Sequence, residues 1–150
     1  MKTIKLISII IMSSFYISVG VAHFITPEKF LIIIPASFPF PLLLVYVSGF
    51  FEILFGILLL LKRWRFYAGL GLIMLLIAVF PANIFLYLDE SAREAYSNIS
   101  QNQALVRMCF QIPLILIAYW HSRESLSTWF NYVCVIISMP TILYFLRILF

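Results

Sequence analysis

Glu52 is the residue whose place in the sequence points most directly to chemistry. It is the only ionisable residue between Leu42 and Leu61, an apolar run long enough to cross a bilayer as a helix. A charge at the bilayer centre costs about 3 kcal/mol on insertion scales. We therefore expect this carboxylate to be paired, protonated or turned towards a polar cavity.

Four other polar residues accompany Glu52 in apolar segments of the chain. At a helical rise of about 1.5 Å per residue, all of them fall in the same half of a membrane bundle, near its outer side. They come from four different predicted helices, so they can surround one outward-facing pocket. The predicted ligand-binding residues are His23, Glu52, Asn83, Arg107 and Gln111.

The chemistry predicted for this pocket joins a carboxylate, an imidazole and a guanidinium. Arg107 is the natural counter-ion for Glu52, directly or through water, because its planar fork matches a carboxylate. His23 can share the site as a proton donor or acceptor. Each residue alone also has a structural explanation, since polar side chains bond across membrane helices and arginines snorkel to the interface. Their common location favours a site.

Five apolar spans are predicted to position these residues. Of the 150 residues, 64% are hydrophobic and 11% are charged, which is typical of a polytopic membrane protein and not of a soluble domain. We predict one all-α transmembrane domain, a helical bundle in which Pro140 kinks the last span. The spans are about 4–24, 42–61, 66–88, 105–120 and 129–150.

Two features of the spans predict how they pack. Gly49 and Gly56 flank Glu52 at −3 and +4, and small residues on one face let another helix approach closely. Glu52 should therefore look into the bundle. On the last span, a polar stripe predicts a packing seam, open to a second copy of the chain. The stripe consists of Asn131, Cys134, Ser138 and Thr141.

Two connections at the outer side are predicted to be partly helical. Thr26 and Pro27 are the predicted N-cap and first helical position of a short interfacial helix, which continues into the apolar stretch at residues 30–34. The other connection starts as a helical turn from Asp89 to Tyr96.

Basic residues predict the orientation in the membrane. Six of them flank the spans on the side of the N-terminus and four on the other, with the run from Lys62 to Arg65 the strongest element. We therefore expect a protein of the bacterial inner (cytoplasmic) membrane with its N-terminus in the cytoplasm.

The sequence also argues against several classes of partner and cofactor. Cys109 and Cys134 lie near opposite ends of their spans, so we expect packing residues and no internal disulfide. No zinc, P-loop or dinucleotide motif is present. The basic residues form no aromatic-interleaved patch, so nucleic acid is not expected. The predicted partners are the lipid bilayer, and a membrane protein or a second copy.

Short motifs surround the candidate residues in a fixed order. They are Gly20-Val-Ala-His23-Phe24 with Pro27, Ile34-Pro35, Ser48-Gly49-Phe-Phe-Glu52 with Gly56, Phe80-Pro81-Ala82-Asn83-Ile84, and Arg107 with Gln111 and Pro113. In order and spacing these motifs resemble the DoxX-like membrane protein family. The resemblance runs from about Gly20 to Trp120 and implies a four-helix core, to which this chain adds a fifth C-terminal helix.

The resemblance implies a function only in outline. Some members are linked to quinone-coupled oxidation or to redox-stress complexes, and distant ones to assembly or trafficking of membrane proteins. The first hypothesis is therefore an accessory subunit of a quinone-linked membrane redox system, with a quinone as the candidate cofactor or ligand. A small-solute or proton-coupled transporter and a non-enzymatic assembly factor remain as alternatives.

Overall fold

The predicted class of fold, an all-α bundle of membrane-spanning helices, is confirmed. A computed structural model describes the backbone of residues 2–149 and the side chains of residues 3–145. Over this range the chain is helical without strands, and five stretches are long and apolar enough to cross a membrane. Phe150, the last residue of the predicted fifth span, lies outside the described residues.

The described residues form eight helices. The long helices that serve as single spans are α1 (Lys2–Ile25), α3 (Pro41–Leu60), α4 (Arg65–Leu88) and α8 (Thr128–Leu149). The remaining span is made of two helices in succession, α6 (Gln101–Cys109) and α7 (Gln111–Ser122). Two short helices lie in the connections, α2 (Pro27–Leu31) and α5 (Glu90–Ala95).

The fourth span begins earlier than the sequence predicted and is divided. Ser100 and Gln103 form a reciprocal capping box that starts α6 at Gln101, so the predicted start near residue 105 was too late. Pro113 has no N–H to donate to the carbonyl of Cys109, and its ring crowds that carbonyl. The helix therefore breaks at Phe110 and resumes as α7.

Glycines bring α1 and α3 into close antiparallel contact, as predicted. A Cβ on Gly49 would lie 2.9 Å from the carbonyl oxygen of Gly20, and one on Gly56 would lie 3.2 Å from that of Ser13. The earlier residue of α1, Ser13, contacts the later residue of α3, Gly56, so the helices are antiparallel. Glu52, between the two glycines, is consequently turned towards α1.

The centre of the bundle is filled by apolar side chains. Leu59 on α3, Leu72 on α4 and Ile117 on α7 are fully buried in one cluster with α1 residues such as Ile9. Gly69 on α4 lies against Ser122 on α7, which brings these two helices close together. This cluster separates the two ends of the bundle from each other.

The two connections that contain α2 and α5 agree with the sequence in part. Asp89 caps α5 by accepting from the N–H of Ala92 at 2.7 Å, as the predicted helical turn requires. Thr26 precedes Pro27, but its hydroxyl donates back to the carbonyl of Ala22 and does not cap α2. The short helix begins at Pro27, as predicted, but it ends at Leu31 and does not continue to residue 34.

The polar stripe on α8 faces its own bundle. Cys134, Ser138 and Thr141 are buried, and Asn131 accepts a hydrogen bond from the indole N–H of Trp120 at 2.7 Å. The stripe is a packing seam, as predicted, and its buried residues are covered by the chain's own bundle. Cys109 is exposed on the bundle surface, so of the two free cysteines only Cys134 is a packing residue.

Candidate functional site

A cavity of about 260 Å³ lies between α1, α3 and α4, at the end of the bundle that carries α2. Four of the five predicted site residues line it, and they come from four different helices. The four are His23, Glu52, Asn83 and Arg107.

His23 and Glu52 form one polar side of this cavity. The Nδ1 of His23 lies 2.8 Å from the carbonyl oxygen of Val19 and 3.3 Å from Oε2 of Glu52. Since a carbonyl only accepts, Nδ1 carries a hydrogen, and this hydrogen is directed mainly to Val19. Oε2 is buried and has no hydrogen-bond donor among the described residues. The carboxylate is thus in contact with an imidazole without having its hydrogen-bonding capacity filled.

The position of His23 follows from the close packing of α1 and α3. A Cβ on Gly49 would lie 2.5 Å from the Cβ of His23, so only glycine leaves room for the imidazole beside Glu52. Phe30 of α2 covers the imidazole on another side, with the two ring centroids 3.6 Å apart and nearly parallel. The sequence analysis did not include Phe30, because a phenylalanine in a short apolar helix carries no signal of a site.

Arg107 and Asn83 form the other polar side. The Nε of Arg107 donates to Oδ1 of Asn83 at 3.2 Å, and the amide of Asn83 donates to Oε1 of Gln111 at 2.5 Å. Gln111 in turn donates to the carbonyl of Leu76, in the turn that precedes Pro81. Gln111 is buried and is not among the cavity-lining residues, so it holds Asn83 in place and does not face a ligand.

Tyr96 is a partner of Arg107 that the sequence analysis missed. Its hydroxyl accepts from Nη1 of Arg107 at 2.6 Å, and the guanidinium lies 5.0 Å from the centroid of its ring. Tyr96 follows α5 in the polar connection, where an aromatic residue has no periodic neighbours that would mark it. The contact ties this connection to the cavity wall.

Arg107 and Glu52 form no direct ion pair, one of the two arrangements predicted, and their pairing through water remains a prediction. Within the described side chains, the only basic group within 4.0 Å of the Glu52 carboxylate is the His23 imidazole. Arg107 is drawn away by Asn83 and Tyr96, which together use its Nε and Nη1. Glu52 and Arg107 therefore line the same cavity without a direct ion pair.

The remaining wall of the cavity is apolar and reaches the outside of the bundle. Leu44 and Val47 on α3 line it and are each 41% exposed, while Ala78 on α4 lines it and is also exposed. Phe38, 39% exposed, borders it at the end of the bundle. The cavity can thus be reached from the side of the bundle between α3 and α4, and from the connection that contains α2 and Phe38.

This arrangement can bind a small molecule with an apolar body and polar groups at two ends. Glu52 supplies an acceptor, and Arg107 supplies N–H donors on the opposite side. Among the described residues, no three His, Cys, Asp or Glu side chains are grouped in a way that could hold a metal ion.

Comparison with known protein families gives one result. The model of a family described as "Domain of unknown function (DUF8561)" matches residues 12–122. The match contains all five predicted site residues and ends at the last residue of α7, before α8. No curated protein and no solved structure matches the chain.

Proposed function

The chain belongs to this family of unknown function, and from its site we propose that it binds a small, lipid-soluble ligand of the quinone type in an intramembrane pocket centred on Glu52. In this role the protein is an accessory subunit of a membrane redox system. The family description names no DoxX-like protein, so the resemblance that suggests the redox link remains a prediction.

The observation that carries the proposal is the state of the Glu52 carboxylate. A buried polar atom without a hydrogen bond costs about 1–3 kcal/mol, and more when it is charged. Oε2 of Glu52 is such an atom, and Glu52 lines a cavity. A ligand hydroxyl that donates to this carboxylate would remove the penalty. A purely structural contact between His23 and Glu52 does not remove it, because Oε2 remains without a hydrogen bond.

The shape and walls of the cavity support a lipid-soluble ligand. Its volume of about 260 Å³ lies just below the range of about 300–1,000 Å³ typical of drug-sized ligands. One substituted ring fits this space better than an extended molecule. The exposed lining residues Leu44 and Val47 on α3 border a lateral route from the lipid phase.

The polar groups match a hydroquinone ring, the reduced form of a quinone, in a simple way. The Glu52 carboxylate accepts a hydrogen bond from one hydroxyl of the ring, and the Arg107 guanidinium donates to the oxygen at the opposite position. His23 holds the carboxylate from one side and can exchange a proton with it. Asn83, supported by Gln111, fixes the direction of the guanidinium.

Co-purification of the ligand tests this proposal. The protein is purified in mild detergent, and organic extracts are analysed for quinones by mass spectrometry. Glu52→Ala should contain at least about tenfold less bound quinone than the wild type, because hydrogen bonds to charged groups contribute about 1.5–3 kcal/mol. Glu52→Gln keeps a neutral acceptor and should lose less.

Glu124→Gln is the matched control, since this carboxylate is exposed and pairs only with Lys62 at the other end of the bundle. It should retain the wild-type quinone content. Equal quinone content in wild type and Glu52→Ala would refute the proposal. A stably bound protein without quinone would instead favour the assembly-factor alternative.

We further propose that the pocket lies in the outer half of a bacterial inner membrane and that the N-terminus is cytoplasmic. The distribution of basic residues supports this orientation, with the run from Lys62 to Arg65 at the same end as the start of α1.

A further inference from the structure

A second, larger cleft lies at the opposite end of the bundle from Glu52, where α1 and α4 begin and α7 ends. It encloses about 1120 Å³. We call it the basic cleft because five cationic side chains line it. They are Lys5, Lys62, Arg63, Arg65 and Arg123.

The positive charge of the basic cleft is largely uncompensated. Glu124 is the only acidic residue in its lining, and it pairs at 3.5 Å with Lys62, where both side chains are more than three quarters exposed. Among the described side chains, the other four cations have no carboxylate within 4.0 Å. A concave surface lined by one sign of charge concentrates its field and attracts the opposite charge.

The hydrogen bonds of these cations shape the cleft without neutralising it. Lys5 donates to the backbone carbonyl of Arg123 at 2.5 Å, joining the start of α1 to the end of α7. Arg65 donates to the carbonyls of Leu59 and Leu60 at the end of α3, which satisfies groups that a helix terminus leaves free. Backbone carbonyls hold these side chains in place, but they carry no net charge.

His121 adds a buried polar group to the wall of the basic cleft. It is 1% exposed, its Nε2 lies 3.0 Å from the hydroxyl oxygen of Ser8, and its Nδ1 has no hydrogen-bond partner among the described residues. If the Ser8 hydroxyl donates to Nε2, the neutral ring carries its hydrogen on Nδ1. Because Nδ1 is itself buried, this hydrogen is not presented to a ligand in the cleft.

The rim of the basic cleft indicates that its ligand comes from the membrane. Leu6 and Phe66 line the cleft and are 49% and 40% exposed, so apolar side chains that face lipid adjoin the cationic ones. Trp64, in the connection between α3 and α4, is 46% exposed at the same end, where a tryptophan typically sits at the membrane surface. Cations and lipid-facing apolar groups side by side match a phosphate headgroup attached to acyl chains.

We propose that the basic cleft binds the phosphate group of an anionic phospholipid. Affinities are measured on the full-length protein in neutral detergent, with short-chain phosphatidylglycerol as the anionic probe and phosphatidylcholine as the zwitterionic one. Glycerol 3-phosphate is the soluble phosphate probe. Phosphatidylglycerol should bind more tightly than either.

The key variant is Arg63→Gln, because Arg63 lines the cleft and, among the described residues, it makes a cation–π contact with Trp64 but no side-chain hydrogen bond or salt bridge. The attraction between one basic residue and an anionic membrane surface corresponds to about a fivefold change in affinity. Arg63→Gln should therefore weaken phosphatidylglycerol binding about fivefold. The double variant Lys62→Gln/Arg63→Gln should weaken it about 25-fold. Lys29→Gln is the matched control, since it removes one exposed cation at the other end of the bundle. It should leave the affinity unchanged.

Three results would overturn the proposal. Equal binding of phosphatidylcholine and phosphatidylglycerol would show that the cleft does not select anionic lipid. Glycerol 3-phosphate binding as tightly as the lipid would assign the cleft to a soluble phosphate compound. An equal loss of phosphatidylglycerol affinity in Lys29→Gln would show that the overall charge of the protein, and not the basic cleft, determines binding.

Discussion

At the residue scale, the pocket keeps its two charged groups on opposite sides. Glu52 contacts His23, and Arg107 bonds Asn83 and Tyr96, so neither neutralises the other directly. An ion pair between Glu52 and Arg107 would occupy the groups that a ligand needs. The two bonds that hold Arg107 back therefore preserve the binding capacity of the cavity.

Asn83 is the centre of this arrangement, since it joins Arg107 to Gln111. We predict that Asn83→Leu lowers the free energy of unfolding by about 1–2 kcal/mol, because two interhelical hydrogen bonds are lost and each averages about 0.6 kcal/mol in membranes. Unfolding by SDS in mixed micelles, followed by circular dichroism, measures this.

Tyr96→Phe is the matched control for Asn83→Leu. It removes only the hydroxyl that accepts from Arg107, and should cost about 0.6 kcal/mol. If Asn83→Leu is no less stable than Tyr96→Phe, Asn83 does not hold the network together.

At the scale of helices, the site depends on how closely α1 and α3 approach. Gly20, Gly49 and Gly56 all face the opposing helix at distances that leave no room for a Cβ. The spacing of Gly49 and Gly56 predicted a close approach of another helix, because small residues on one helical face leave room for a neighbouring backbone. The structure shows that this helix is α1. The same spacing also predicted that Glu52 faces inward.

Gly49→Ala tests whether this approach positions the site. The new Cβ would lie 2.5 Å from the Cβ of His23 and 2.9 Å from the carbonyl oxygen of Gly20, so α1 must move. Overpacking of this kind costs about 1–3 kcal/mol. We expect that loss in SDS unfolding, together with reduced quinone co-purification.

Ile57→Ala is the control for this variant, since Ile57 lies on the same helix and is 46% exposed. It should change stability by no more than about 0.5 kcal/mol. A Gly49→Ala variant as stable and as loaded with ligand as Ile57→Ala would show that the close approach is not required.

Other features of the helices were only partly predictable from sequence. The break before Pro113 has a local cause that the sequence contains, yet the sequence analysis treated residues 105–120 as one span. The polar first turn of α6 hid its start, although Ser100 and Gln103 have capping-box spacing. The direction of the α8 stripe depended on its neighbour Trp120, which local sequence does not reveal.

At the scale of the whole molecule, the two ends of the bundle differ in character. One end holds a small cavity with a carboxylate and a guanidinium, and the other holds the basic cleft. The apolar core between them, which includes Leu72 and Ile117, keeps the two sites apart. The family match, residues 12–122, covers the first four spans except the start of α1, while α8 packs against α7 and α1 outside that match.

Cysteine labelling tests the orientation of these ends. Ser91→Cys in α5 and Ser125→Cys after α7 place an exposed thiol at opposite ends, in a Cys109→Ala background where the remaining Cys134 is buried. We predict that a membrane-impermeant maleimide labels Ser91→Cys in intact cells. Ser125→Cys should react only after permeabilisation, and the Cys109→Ala parent should not react. The reverse pattern would place the N-terminus outside.

The sequence by itself determined the class of fold, the approximate spans and four of the polar residues that line the cavity. It could do so because an apolar bilayer leaves few reasons for a residue such as Glu52, His23 or Arg107 to lie within a span. Only the tertiary structure decided how these residues pair, since hydrogen-bond partners depend on the distance and direction between helices. For this reason only the structure showed that Arg107 bonds Asn83 and Tyr96 and that Phe30 stacks on His23.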